Sequence, residues 1–426
     1  MKSVRFITLL TGLLLLLSCQ RDGLDVTLTL GPFGKETRKV MLLYEAGFNS
    51  LGSEIASNIS ALREGYLPGN GRDDDIILVF SHLPAQRRVY TTETEPVLVR
   101  MYQTHGEPRA DTLRRWPSGT PVTNAAMVTE VLNLVREEFP AAGYGAVFSS
   151  HSNGWLPEGY FSNPKKYEGK DRGGSGSIWL SPRRRTFGQE YYASGTKTEE
   201  MEMHDFAAAI PYKLDYMLFD ACLMASVEVF WELRNVCSFV AASPCEIPAA
   251  GLNYKTLAHH LLESKEPDLA GVCADYYARY EHDSVYGAAI TMVDCRRLDA
   301  LASTCRVLFD RYREEILNLD GENVQVYDRT SGGKQYFIFF DLVDLLREAG
   351  ASEGDILDLQ EVLDEVIVYE QHTPRFLTIP LDRCCGLSMY LPAYPDYKAD
   401  IFHGTEFLDG FYKEHVAWNE ATSLVL

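Results

Sequence analysis

Positive charge is scarce in this 426-residue chain: 40 Lys and Arg stand against 60 Asp and Glu, a formal net charge of −20. A surface of that sign repels phosphate backbones, which excludes nucleic acid as a partner. Paired CxxC motifs are absent, and no P-loop Lys-Ser/Thr follows "LPGNGR", so neither a zinc ribbon nor a phosphate cradle is encoded. "GGSGS" lacks a Gly two residues after Ser175 and no strand precedes it, which removes a nucleophile elbow. His259 and His260 are adjacent in a helical pattern, where their side chains diverge and cannot chelate one ion. "GRDDDI" reads as a solvated turn, and the sequence points to no metal site. Internal repeats and low-complexity tracts are missing too.

What is present begins with the cysteines. Besides Cys19 there are eight, at 222, 237, 245, 273, 295, 305, 384 and 385. Their spacing forms no dense disulfide framework, and most lie in apolar segments such as "RNVCSFVAAS", where a free Cys acts as a small buried hydrophobe. The N-terminus, "MKSVRFITLLTGLLLLLSC", places Lys2 and Arg5 before an apolar run too short to span a bilayer. It reads as a secretory signal over 1–18. The small residue before the cysteine resembles the lipobox of bacterial lipoproteins, which implies cleavage before Cys19, a lipid on that residue, and anchoring to the cell envelope at the outer membrane or surface. Residues 19–36 read as a tether.

From residue 37 onward, apolar runs recur at "KVMLLYE", "IILVFS", "GAVFSS", "YMLFD", "SFVAAS" and "AAITMV". Near-continuous runs of this kind fit parallel strands buried on both faces. Between them Leu51, Ile55, Ile59 and Leu62, and then Met127, Val131, Leu134 and Val135, form helical stripes. The alternation predicts an α/β/α sandwich with a mostly parallel sheet over 37–300. Residues 301–426, with two helical patterns and a strand-like "CGLSMYLPAY", are expected to form an α/β subdomain docked on it. The connection 154–200, rich in Gly, Ser and charge, is expected to be a mobile, exposed loop.

Open α/β sheets place their functional crevice at the carboxyl ends of the strands. Two runs end in reactive groups: "GAVFSSHSNGW" delivers His151 and "YMLFDACLMAS" delivers Cys222. Leu223, Val227, Phe230 and Trp231 keep helical spacing, which predicts Cys222 at the first turn of a helix, where the dipole favours thiolate. With a neighbouring imidazole this makes a Cys/His pair for attack on an acyl carbon. "YQTHGEP" offers His105 as a rival, but it lies away from the Cys segment and reads as a loop residue.

"SSHSNGW" followed by "LDYMLFDACLMASVEVFWEL" resembles the His and Cys motifs of the clostripain family of cysteine peptidases. "KVMLLYEAGFNSLGSEI", "RTFGQE", "MEMHDFAAAI", "ASPCEIPAAGLNY" and "GLSMYLPAY" extend the similarity over about residues 37–395. The resemblance implies a caspase-like fold shared with gingipains and legumains, His151 as general base and Cys222 as nucleophile without an obligatory third carboxylate. It implies an oxyanion hole from the backbone amides of Cys222 and of Ser152, although relatives commonly carry Gly after the histidine and here Gly154 comes later. Asp220 is implied as the acid of an S1 pocket that pairs with Arg or Lys at P1; the alternative is a cap for the following helix. "SPRRRTFGQE" is read either as a self-cleavage segment with Arg185 at P1 or as a solvated charge run. Some relatives use calcium, but no clear site stands out; a monomer is expected. The rival to a lipid-anchored peptidase is a catalytically silent caspase-like surface module that binds peptide or protein.

Overall fold

The computed structural model describes residues 38–71, 74–87, 89–158, 187–191, 200–328, 337–392 and 405–426. The signal, the tether, Cys19, Arg185 and most of the 154–200 connection lie outside the described residues. Among the described residues no helix is long and apolar enough to cross a membrane.

Strand β1 (Lys39–Ala46) is buried along its whole length. It pairs in parallel with β2 (Ile76–His82) on one side and β5 (Gly143–Ser149) on the other. β6 (Leu214–Asp220) pairs in parallel with β5, and β7 (Cys237–Ala242) with β6. Single helices carry these crossovers: α1 (Gly52–Glu64) joins β1 to β2, and α2 (Ala125–Glu138) leads into β5.

β8 (Ala289–Asp294) departs from the expected parallel pattern and runs antiparallel beside β7. The connection explains this. Between β7 and β8 the chain descends through α5 (Tyr254–Ala258) and a following π-turn, then climbs through α6 (Leu269–Tyr280). Two helical passes return it to the end of the sheet it left, so the next strand must run back.

At the other edge, β3 (Val97–Thr104) and β4 (Glu107–Arg115) extend the sheet as an antiparallel hairpin. His105 and Gly106 form its turn with φ of 54° and 82°, the left-handed pair that a tight two-residue hairpin loop requires. His105 is therefore an exposed turn residue, remote from Cys222. β4 is largely exposed and carries Arg109, Asp111, Arg114 and Arg115, charges that discourage edge-to-edge pairing.

Alternate residues of each strand feed two cores. Val40, Leu42 and Tyr44 face a cluster built with α2, α3 (Met203–Ala208), α4 (Val227–Leu233) and α7 (Leu298–Leu317). Met41 and Leu43 face Leu62 of α1, Leu257 of α5 and Tyr276 of α6. The molecule is an α/β/α sandwich.

The first cluster continues to Leu424. β9 (Phe340–Asp341) leads into α8 (Leu342–Glu348) and α9 (Glu353–Val366), after which β10 (Ile367–His372) joins the edge of the main sheet antiparallel to β8. The short pair β11 (Arg375–Phe376) and β12 (Ile379–Pro380) follows. β13 (Ser388–Met389) then pairs with β9, and Ser388 bridges Ser226.

Candidate active site

Register aligns Glu45 of β1 with Ser149 of β5, and Ser149 with Asp220 of β6. The carboxyl ends of three parallel strands are therefore level, and the residues just beyond them share one edge of the sandwich. His151 is half-buried there, with Nε2 2.8 Å from Ser50 Oγ. Ser152 is buried and donates from Oγ to the carbonyl oxygen of Cys222. The residue after the histidine is thus tied to the backbone of the cysteine. Cys222 is half-buried, and its Sγ accepts the Ile247 N–H at 3.4 Å.

Ser152 stands where glycine was expected from the resemblance. The left-handed residue of this loop is Gly154, with φ of 63°, where a Cβ would come within 2.6 Å of the Leu223 carbonyl oxygen. The conformation that excludes side chains falls at 154, so a serine is accommodated at 152.

The expectation of Cys222 at a helix entrance is not met. α4 starts only at Val227, capped by Ser226, whose Oγ accepts the Val229 N–H. Leu223 is left-handed at φ 61°, its N–H donates to Cys245 O, and Ala225 N–H donates to Ser243 O. Residues 221–226 are thereby laid along the segment after β7 before the helix can begin. The thiol therefore lies outside the first turn of α4, and Asp220 does not cap that helix.

Asp220 is 7% exposed. Its carboxylate accepts the Tyr254 hydroxyl at 2.8 Å, and its Oδ2 packs on Gly251, where a Cβ would sit 2.1 Å away. Burial pushes its pKa up to about 6, opposed by hydrogen bonds from Tyr254 and the Leu252 backbone and by the charge of Arg279. Glu45, fully buried two strands away on the same face, is held well above the ordinary carboxyl range by burial and by Asp220. A groove of about 540 Å³ lies behind Tyr254 against α1 and α6. His151 and Cys222 do not line it.

Part of the long connection also differs from expectation. Residues 187–190 are buried, not exposed. Phe187 enters the core, Gly188 N–H donates to His151 O, and Gln189 N–H donates to Ser150 Oγ. Glu190 meets His82 Nδ1 at 2.5 Å and accepts the Val122 N–H at 2.7 Å. The apolar ring and the satisfied carboxylate make this segment a wall of the histidine loop.

The model of the clostripain family, peptidase C11, matches residues 44–422. The chain belongs to the clostripain family. It is a cysteine peptidase acting on peptides or proteins, and the caspase-like sandwich is the scaffold of that family. An inactive zymogen C11 protease from Parabacteroides distasonis superposes with a TM-score of 0.71 at 23% identity, covering 92% of this chain and 99% of that one. A secreted C11 cysteine protease from Bacteroides thetaiotaomicron, solved with an irreversible peptide inhibitor, gives 0.68 at 22% identity over 90% and 98%. At these identities the likeness speaks for the fold. No curated protein matches the chain.

Within the clostripain fold, several site neighbours escaped sequence reasoning. Ser50 lies just past the carboxyl end of β1, so the strand-end rule that found His151 and Cys222 would have flagged it. Glu45 ends an apolar run as its one acid. His82 closes β2 and was open to the same rule; Glu190 left no signal, because only the fold brings it to His82.

Proposed function

We propose that this clostripain-family chain is an exported, lipid-anchored endopeptidase that cuts after Arg or Lys through Cys222 and His151. The observation that carries the reading is the tie between two adjacent parallel strand ends: Ser152, next to His151, holds the carbonyl of Cys222. In this reading His151 takes the Cys222 proton, the thiolate attacks the scissile carbonyl, and the imidazolium returns the proton to the leaving amine. Water then hydrolyses the acyl-enzyme with His151 as base. Backbone amides of Ser152 and Cys222 face the developing oxyanion.

Asp220 is the last residue of β6, two positions before Cys222. A carboxylate in that largely dry place selects a cationic P1 group, because a neutral side chain leaves the charge unpaired. Lipidation at Cys19 and self-cleavage at Arg185 complete the proposal; the secreted relative from Bacteroides thetaiotaomicron supports export.

The test is hydrolysis of a fluorogenic peptide with Arg at P1 under reducing conditions. Wild type cleaves it and Cys222→Ser does not; hydrolysis surviving the substitution rules out the thiol mechanism. N-terminal sequencing of wild type and Cys222→Ala tests self-cleavage, and equal intactness removes it.

A further inference from the structure

At the β10 edge of the sheet, remote from the β3–β4 hairpin, lies a cluster that the peptidase chemistry does not use. Glu370 and His372 stand two apart on β10, so their side chains leave the same face of the strand. The loop 381–387 crosses that face and delivers Cys384. One ligand atom from each of the three lies within 4.8 Å of the other two. His372 Nδ1 is 2.6 Å from Glu370 Oε1, and each of these side chains is 26% exposed.

The loop is built to approach closely. Gly386 has φ of 86°, and a Cβ there would lie 2.6 Å from Glu370 Cγ and 2.5 Å from Thr291 Oγ1. Thr291 Oγ1 donates to the Gly386 carbonyl at 2.7 Å. Tyr327 donates its hydroxyl proton to Asp341 at 2.6 Å and stands 3.1 Å from Cys384 Sγ. That proton being committed to Asp341, the sulfur donates its own S–H to the oxygen of Tyr327. Burial raises the Cys384 thiol pKa, and the negative Asp341 and Glu370 raise it further. A cation placed among them reverses the effect, since a coordinating thiol is deprotonated outright.

We propose that Glu370, His372 and Cys384 bind a divalent cation of the zinc class. One imidazole nitrogen, one thiolate and one carboxylate oxygen are the donor set such an ion takes, and three protein ligands leave a fourth position for water. The ion clamps loop 381–387 onto β10. That loop runs directly into β13, where Ser388 N–H donates to Ala225 O and Ser388 bridges Ser226. Occupancy therefore stiffens the strand that backs the Cys222 segment. The inference does not depend on the catalytic reading.

The experiment uses full-length protein carrying Cys222→Ala, which removes the half-buried thiol of the active site as a competing ligand. After stripping with a chelator it is titrated with Co2+ and, separately, with Zn2+. The expected result is one equivalent of Co2+ per chain with a thiolate-to-cobalt charge-transfer band, lost on adding Cys384→Ser. Adding Glu370→Gln, with circular dichroism unchanged, weakens Zn2+ binding by at least about tenfold and removes the rise in thermal midpoint that Zn2+ produces. Absence of a thiolate band at saturating Co2+, or a band that survives Cys384→Ser, overturns the proposal.

Discussion

Two buried acids flank the strand-end edge, and they are treated differently. Glu190 meets His82 on one oxygen and accepts the Val122 and Thr123 amides and the Thr123 hydroxyl on the other. Its imidazole partner stacks on Phe48 with ring centroids 4.6 Å apart. Asp220 has the Tyr254 hydroxyl, the Leu252 backbone and a partial counter-charge from Arg279, and it shares its face with Glu45. A saturated acid acts as an anchor. In the proposed reading, the acid with fewer donors, beside a second carboxyl, is the one that takes a cation from outside.

Breaking the anchor has the largest expected effect. Glu190→Ala leaves the buried His82 ring and two backbone amides without their acceptor, and is expected to cost about 3–5 kcal/mol of stability in urea unfolding. A loss under 1 kcal/mol would show that the segment 187–191 is not a wall of the site.

Asp220→Asn should act on selection instead of folding. The kcat/KM for an Arg substrate is expected to fall roughly a hundredfold, the cost of removing one partner of a desolvated charge pair, while a substrate with a neutral P1 group is little changed. A folded-state pKa near 6, above the ordinary carboxylate value, gives two signs. The stability contributed by protonated Asp220 is fully present below about pH 4 and is lost as pH rises through 6, so Asp220→Asn gains stability relative to wild type at neutral pH. Activity toward Arg substrates moves the other way, falling as pH drops through 6, and this limb vanishes in Asp220→Asn. A pH profile identical in both proteins would detach Asp220 from P1 selection.

The smallest effect sharpens the geometry around the histidine. Ser50→Ala removes one hydrogen bond to His151 Nε2, worth about 1 kcal/mol, and should lower kcat roughly fivefold with KM unchanged. A change in KM alone would place Ser50 in substrate contact.

Much of the sheet was legible because strands buried on both faces are written as unbroken apolar runs; β1, β2, β5, β6 and β7 follow them within a residue or two. β3 and β4 were not, since an edge hairpin is mostly solvated and carries alternating charge. The reversed direction of β8 was hidden because apolar runs carry no sign, and only the two-helix connection decides it. The helix predicted at Cys222 failed for a related reason. Leu223, Val227, Phe230 and Trp231 have the right period, but hydrogen bonds to Ser243 and Cys245, distant in sequence, hold the first of these residues out of the helix. His151 and Cys222 follow predictable strand ends, and Glu45, Ser50 and His82 lie at or just past such ends as well; Glu190 and its contact with His82 depend on the folded chain alone.

The central claim is that Cys222 and His151 work as one unit, and covalent labelling tests it most directly. The protein is treated with an electrophilic peptide bearing Arg at P1, digested and mapped by mass spectrometry. One label per chain on Cys222 is predicted, with a labelling rate that falls roughly 10²–10⁴-fold in a folded His151→Ala variant. Label on Cys245, Cys384 or Cys385, or a rate indifferent to His151→Ala, would contradict the account.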